Sequence, residues 1–392
     1  VVKPDVLLDD MAHLGDDALQ RRKWGDPFEG RWHTPPQAFR AESLAEGYLH
    51  AGYPHEAIAI LDQRTNGAQS VTSHNLLGAA LVAVGDHERA EAQFRKALET
   101  NPGYIRSQYN LGVVYASQGK VTEAIELFKQ DIETAPDYAD ARFSLAHAYE
   151  SQQRWLEAER SYREVLRIDP QFLAARNGLG VVLARRGLLD QAAANFSLVL
   201  GADATNATAH HNLGLVFMQQ QQLEKAAEHL TRALDGSDDN ADVRNSLGVV
   251  LANLNRVPEA IEQYRAAVAT RPEDANFHYN LAAALHRQRE VEEAMRHYRR
   301  AYELAPQRPL MANALAWMLA TCRDEELRDP AKAVKLSEAA NAATNHVIPE
   351  MLDTLSAAYA SAGEWEKAES TARTALTIAR SSNKQSLAEE IN

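Results

Sequence analysis

The sequence predicts an all-α solenoid of about ten helix-turn-helix repeats, and three regularities predict it. A small residue recurs every 34 positions, an alanine follows most of these residues twelve positions later, and Phe, Tyr or Leu follows four positions after that. Proline closes many of the repeats. We call the small residue of each repeat its marker. The markers are Gly78, Gly112, Ala146, Gly180, Gly214, Gly248, Ala282 and Ala316, with Ala45 and Ser356 in looser copies at the two ends.

In the third repeat, which begins near Ile105, the residue type at each position of the pattern can be explained by helix packing. Gly112 and Ala124 are small residues, so we predict that two antiparallel helices cross at these positions. A larger side chain there would push the backbones apart. Tyr115 and Phe128 are expected to fill the space on either side of that close contact. Pro136 ends the second helix because proline cannot continue one.

These positions carry a family resemblance. The residues Leu111, Gly112, Tyr115, Ala124, Phe128 and Pro136 follow the pattern L-G-x2-Y…A-x3-F…P. The chain therefore resembles tetratricopeptide repeat (TPR) proteins. The resemblance implies a right-handed superhelix in which the first helix of every repeat lines a concave groove, where such proteins hold extended peptides or helices.

Along the chain, residues 1–37 do not fit the repeat, and residues 38–392 form the predicted solenoid. The ninth repeat carries an insertion near residues 322–329, after which Asp329-Pro330 predicts a helix start with Asp as N-cap and Pro at the first helical position. The segment 381–392 is predicted to be a polar closing helix, because the ends of a repeat array need a polar outer face.

The N-terminal segment leaves two interpretations open. Trp24, Phe28 and Trp32 are costly to leave in water, so the segment is expected to cap the first repeat. The alternative is a linker from an upstream domain, or an arm that docks on a partner. The chain begins with Val1 rather than Met, which a cleaved export signal and a cleaved upstream domain would explain equally well. A cytoplasmic and a periplasmic location both stay open, and export is slightly favoured.

The ninth and tenth repeats carry a second resemblance. The stretch LAWMLATCRDEELRDPAKAVKLSEAA, followed by LDTLSAAYASAGEWEKA, is similar to the C-terminal TPR pair of many bacterial proteins, often exported ones. In some relatives that pair is joined to a hydrolase of the sulfatase or phosphatase kind. The likeness implies a bacterial source.

Composition excludes several functions. The net charge of −13 argues against a general nucleic-acid binder, which needs a basic face. The lone Cys322 rules out an internal disulfide, and no apolar run reaches the length of a membrane span. No phosphate-binding Gly loop, nucleophile elbow or H-E-x-x-H helix is present. His286 and His297 lie on opposite helices of the eighth repeat, but we expect them to be surface residues. We therefore predict no enzyme, no metal and no cofactor.

The predicted groove consists of first-helix residues that lie two or three positions before a marker, or one, four or five after it. These are Tyr109, Asn110, Phe143, His147, Asn177, Arg185, His211, Asn212, Met218, Asn245, Tyr279, Asn280, His286, Arg287, Asn313 and Trp317. Asparagine recurs once per repeat from Asn177 on. An amide both donates to and accepts from a peptide backbone, so this row is predicted to grip an extended chain. It resembles the asparagine ladder of protein O-GlcNAc transferases, although it is imperfect.

The predicted function is a non-catalytic scaffold that binds a peptide or protein segment in its concave groove and assembles a complex. The alternative is the targeting arm of a larger enzyme, a glycosyltransferase or a sulfatase-type hydrolase, with its catalytic domain upstream. Homo-oligomerisation stays open.

Overall fold

The structure is a computed structural model of the chain. It describes residues 41–62, 70–235 and 240–382, together with residues 384, 388, 389 and 391. The predicted N-terminal segment 1–37, and half of the residues of the predicted closing helix 381–392, lie outside the described residues. By its internal contacts the chain divides into two compact halves, Val1–Leu198 and Val199–Asn392.

Twenty α-helices are described, and they follow one another as helix pairs. In the first half they are α1 Ala41–His50, α2 Pro54–Asp62, α3 Val71–Ala83, α4 His87–Thr100, α5 Ile105–Ser117, α6 Val121–Thr134, α7 Ala139–Ser151, α8 Trp155–Ile168 and α9 Leu173–Arg185. The boundary between the halves falls within α10, Leu189–Ala202. In the second half they are α11 Ala207–Gln219, α12 Leu223–Leu234, α13 Ala241–Asn253, α14 Val257–Thr270, α15 Ala275–Arg287, α16 Val291–Leu304, α17 Pro309–Thr321, α18 Pro330–Ala343, α19 Pro349–Ser361 and α20 Trp365–Ser381.

Each odd-numbered helix is the first helix of a repeat and carries the marker. A Cβ atom placed on Gly112 would lie 2.6 Å from Cε1 of Phe128 on the second helix of the same repeat. A Cβ atom on Gly78 would lie 2.5 Å from Cε1 of Phe94, and one on Gly248 would lie 2.6 Å from Cε1 of Tyr264. Real Cβ contacts are longer than this, so the small marker is what lets the ring lie against the backbone. This confirms the prediction that the marker glycine is small because the two helices of the repeat meet closely there.

In every described repeat except the ninth, the turn between the two helices is a Schellman motif. In the third repeat Gly119 has a φ of +78°, its N–H donates to the carbonyl of Ala116 at 3.1 Å, and the N–H of Lys120 donates to the carbonyl of Tyr115 at 2.8 Å. In four repeats a non-glycine residue takes the left-handed position. These residues are Gln153, Gln221, Asn255 and Arg289.

The insertion of the ninth repeat is followed by a helix whose N-terminus is capped by a side chain. The segment 322–329 joins α17 to α18, and Oδ1 of Asp329 accepts from the backbone N–H of Lys332 at 3.0 Å. Pro330 is the first residue of α18. The predicted helix start at Asp329-Pro330 is confirmed.

Repeats stack through two kinds of contact. Within each half, a second helix packs against the first helix of the next repeat, as α6 does against α7 and α14 against α15. First helices also contact the first helices of neighbouring repeats, as in α5 with α7 and α13 with α15. We call the surface formed by the odd-numbered helices within each half the first-helix face. None of the described helices is both long and apolar enough to span a bilayer.

One core position departs from the apolar pattern. Asp131 lies nineteen residues after its marker, where other repeats have Ala97, Val165 or Ala267, and it is fully buried. Neither carboxylate oxygen has a hydrogen-bond partner among the described residues. Burial raises the pKa of Asp131 to about 8, because the charged form is penalised away from water.

Candidate functional site

The first-helix face is held together by hydrogen bonds between successive repeats. Nδ2 of Asn110 donates to Oδ1 of Asn75 at 3.1 Å, and Nδ2 of Asn280 donates to Oδ1 of Asn245 at 2.8 Å. The hydroxyls of Tyr109 and Ser144 lie 3.2 Å apart. In all three cases a residue three positions before one marker meets a residue two positions before the next. Part of the predicted asparagine row therefore links repeats to each other.

Other polar atoms on this face have no partner. Oδ1 of Asn177, Oδ1 of Asn313 and Nε2 of His211 are buried and make no hydrogen bond to the residues that the structure describes. A buried polar atom without a partner costs free energy, so such atoms in a folded protein call for an explanation.

Two residues predicted for the groove lie in the core. Tyr109 is 1% exposed and packs on Phe128 and Tyr138, with ring centroids 5.9 and 5.4 Å away. Phe143 is 7% exposed and stacks on Phe172 at 5.0 Å. Their large rings turn between helices, where burial of apolar area is most favourable. Neither presents a surface to a ligand, so their inclusion in the groove was wrong.

The remaining predicted residues differ in exposure. His147, Arg185, His286 and Arg287 are exposed, whereas Asn110, Asn177, His211, Asn212, Met218, Asn245, Tyr279, Asn280, Asn313 and Trp317 are half-buried. Met218 also packs against the core of the second half. Arg287 reaches back to the preceding repeat, where its guanidinium donates to the carbonyl of Ala252 at 3.0 Å and to Oδ1 of Asn255 at 3.1 Å.

The first half has a cavity of about 450 Å³ on this face, which we call the His147 cavity. It is lined by His147, Glu150, Ser151, Gln153, Trp155, Val181 and Arg185. The carboxylate of Glu150 accepts from the hydroxyl of Tyr162 at 2.9 Å and lies 3.8 Å from Nδ1 of His147. Partial burial against the ring of Phe143 lowers the pKa of His147, and the neighbouring Glu150 only partly offsets this.

The second half has a cavity of about 300 Å³, which we call the Trp317 cavity. It is lined by Tyr279, Tyr298, Leu310, Asn313, Ala314, Trp317, Glu350, Asp353 and Thr354. The structure thus brings three predicted groove residues, Tyr279, Asn313 and Trp317, to one place. The prediction missed Glu350 and Asp353. Counting three positions back from the last marker, Ser356, would have found Asp353.

Histidines form two couples outside these cavities. Nδ1 of His278 lies 2.8 Å from Nδ1 of His297, and its Nε2–H donates to the carbonyl of Pro272 at 3.0 Å. His210 and His229 repeat this arrangement two repeats earlier, with Nδ1 atoms 2.9 Å apart. The neighbour of His297 is therefore His278 and not His286. Over the described ranges, no three His, Cys, Asp or Glu side chains are grouped so that they could hold a metal ion.

The family model described as tetratricopeptide repeat matches residues 75–139, 129–171, 143–207, 211–274 and 253–309, which together make up more than half of the chain. Comparison with curated protein sequences gives no match.

Two solved structures are similar to this chain in fold. The crystal structure of the APC/C hetero-tetramer Cut9–Hcn1 is similar over 71% of this chain and 55% of that chain, with 17% identity and a TM-score of 0.55. A tetratricopeptide repeat protein from Parabacteroides merdae is similar over 63% of this chain and 98% of that chain, with 15% identity and a TM-score of 0.52. At these identities the likeness concerns the fold alone. The chain thus spans little more than half of the Cut9–Hcn1 chain that it matches.

Proposed function

Because the chain belongs to the tetratricopeptide repeat family, we propose that it is a non-catalytic scaffold that binds a segment of another protein on its first-helix face. Holding such a segment would bring its partner into a complex. The bound segment would lie across the first helices of several repeats and contact the half-buried side chains between them.

The observation that carries the proposal is the coincidence of unpaired polar atoms and cavities on one face. In the second half, the Trp317 cavity contains Asn313, whose Oδ1 is buried without a partner. Its wall also includes Trp317 and Leu310, which is 46% exposed. Apolar surface beside a few polar groups that need partners is the usual composition of a protein-binding site.

The proposal assigns no chemical step to the face. Polar contacts between its first helices, among them amide–amide, hydroxyl–hydroxyl and hydroxyl–carboxylate pairs, join one repeat to the next. Such pairs position helices, whereas catalysis needs a reacting group held against a base or an electrophile. Their arrangement supports binding.

The test compares two double variants with a partner captured from extract of the source organism and then purified. Asn313→Ala with Trp317→Ala removes an unpaired amide and an aromatic wall of the cavity. Arg296→Ala with Arg299→Ala changes exposed residues of α16. We expect the first variant to bind about 30- to 150-fold more weakly, since a buried Trp and one hydrogen bond together contribute about 2–3 kcal/mol. The second should bind as the wild type does. Equal affinities of the two variants would rule out this face.

A further inference from the structure

The walls of the Trp317 cavity are aromatic. Tyr298, on α16, is 7% exposed, and its ring meets that of Tyr279 edge-on, with centroids 5.9 Å apart. Trp317, on α17, lines the same cavity. The faces of aromatic rings carry a negative quadrupole and attract cations within about 6 Å of the ring centroid.

The rim of the cavity is acidic. Glu350 and Asp353 line it, and no Lys or Arg is among its lining residues. The His147 cavity differs, since it holds Arg185 beside Glu150. Nζ of Lys384 already lies 2.6 Å from Oε1 of Glu350, which shows that this carboxylate attracts an ammonium group. Both side chains of that pair are nearly half exposed, so the pair is weak and a guest can compete with it.

Asn313 adds an amide group to the lining of the cavity. Oδ1 of Asn313 is buried and has no donor among the described residues. A guanidinium has five N–H donors and no acceptor, and an ammonium has three donors and no acceptor. A side chain with only donors therefore matches the carboxylates of Glu350 and Asp353 better than an amide, a hydroxyl or a carboxylate would.

We propose that the Trp317 cavity receives a cationic side chain, Arg or Lys, of the protein segment bound on the first-helix face. A volume of about 300 Å³ suits one side chain rather than a helix. The inference rests on the proposed function and adds to it the chemistry of the partner: the segment carries a basic residue where it crosses α17 and α19. A planar guanidinium can stack on an aromatic ring while it hydrogen-bonds a carboxylate, which favours Arg over Lys.

The test uses defined peptides and the full chain labelled with 5-fluorotryptophan. The chain has five tryptophans, and the ¹⁹F signal of Trp317 is assigned with Trp317→Phe. The probes are Gly/Ser peptides of one length with a single central Arg, Lys, citrulline or Glu. Citrulline keeps the shape of Arg and removes its charge. Trp155, in the His147 cavity, serves as the internal reference.

We expect the Arg peptide to shift the Trp317 signal saturably and the Lys peptide to do so more weakly. The citrulline peptide should bind at least about 10-fold more weakly, because cation–π attraction and charge-assisted hydrogen bonds are both lost. The Glu peptide should leave the signal unchanged. The Trp155 signal should respond equally to all four peptides or to none of them.

Two sets of variants distinguish the loss of negative charge in the cavity from a general effect of the substitutions on folding. Glu350→Gln combined with Asp353→Asn should weaken the Arg peptide about 10-fold, whereas Glu366→Gln, an exposed acid on α20, should not. Equal shifts with Arg and citrulline, no shift with Arg, or an unchanged shift in the Glu350/Asp353 variant would each overturn the inference. The proposed function is judged separately, by the affinity of the purified partner for the Asn313/Trp317 variant.

Discussion

Nδ2 of Asn280 donates to Oδ1 of Asn245 at 2.8 Å, across the contact between the first helices of the seventh and eighth repeats. These two amides were expected to hold a bound peptide. In the structure they hold two repeats together instead, and both are half-buried. A binding role for either residue therefore competes with a structural one.

We predict that Asn280→Ala lowers the local free energy of opening of α13 and α15 by about 1–3 kcal/mol, because it leaves Oδ1 of Asn245 unpaired. The double-mutant cycle of Asn245→Ala and Asn280→Ala should give a coupling of about 0.5–1.5 kcal/mol. Amide hydrogen exchange of the two helices measures both, since a repeat array need not unfold in one step. Asn253→Ala, an exposed position on α13, is the control. Additive single substitutions would show that the hydrogen bond contributes nothing.

Asp131 should make stability depend on pH. Its folded pKa of about 8 lies above the ordinary value of 3.8, so the folded chain holds a proton that the unfolded chain releases. The contribution of Asp131 is fully present below pH 3.8 and is lost as pH rises towards 8. Between these values, stability should fall by about 1.4 kcal/mol per pH unit relative to a variant without the group.

The comparison needs two substitutions. Asp131→Ala places at this position the residue found in several other repeats, and it should raise the denaturation midpoint by an amount that grows from pH 4 to 8 and then stays constant. Asp131→Asn keeps the shape without the titration, and its midpoint difference should also grow with pH. Parallel midpoint curves for wild type and both variants would mean that Asp131 finds a partner in solution.

Gln221 occupies a backbone position that suits glycine, with a φ of +60° in the turn between α11 and α12. A left-handed conformation costs an ordinary residue about 1–2 kcal/mol. Gln221→Gly should therefore raise the melting temperature, with a gain of about 1 kcal/mol after the extra freedom of glycine in the unfolded chain is subtracted. The reciprocal change, Gly119→Gln, should lower it by a similar amount. If both substitutions shift the melting temperature in the same direction, the turn is not the cause.

Ala192 is fully buried on α10, where the helices of the fifth repeat meet. Ala192→Leu should overpack this contact and cost about 1–3 kcal/mol, measured as a lower thermal midpoint. Ala194→Leu adds the same side chain at an exposed position of the same helix and should change the midpoint little. Should the two variants melt together, the assignment of Ala192 to the helix contact would be wrong.

The repeat period predicted most of the fold, because it depends on residues that pack within one repeat. Gly112 and Phe128 could be placed against each other from their spacing alone, and Asp329-Pro330 carries its own helix-start signal. The direction in which a first-helix residue points could not be predicted as well. Tyr109 and Asn245 occupy equivalent positions before their markers, yet one ring is buried and the other amide is half-exposed. Side-chain size and the neighbour 35 residues later decide between these outcomes.

In the Trp317 cavity, too, some residues could be predicted from the repeat spacing and others could not. Tyr279, Asn313 and Trp317 were predicted from their offsets, whereas Glu350 and Asp353 come from the tenth repeat, where the pattern is loose. Asp131 was not predicted to be buried, although other repeats have Ala or Val at its position nineteen residues after the marker. Only the packing of neighbouring helices removes it from water.

The hydrogen bonds that join one repeat to the next also set which repeats can be exchanged. The third and eighth repeats carry the same Tyr-Asn dipeptide, Tyr109-Asn110 and Tyr279-Asn280, and each follows a repeat that offers an asparagine acceptor, Asn75 or Asn245. Transplanting one of these modules into the place of the other preserves the amide pair at its N-terminal joint. A module with glycine there, such as the fifth repeat with Gly178, would leave the acceptor unmatched. The order of repeats in the array is thus restricted, because successive repeats must present a matching hydrogen-bond donor and acceptor where their first helices meet.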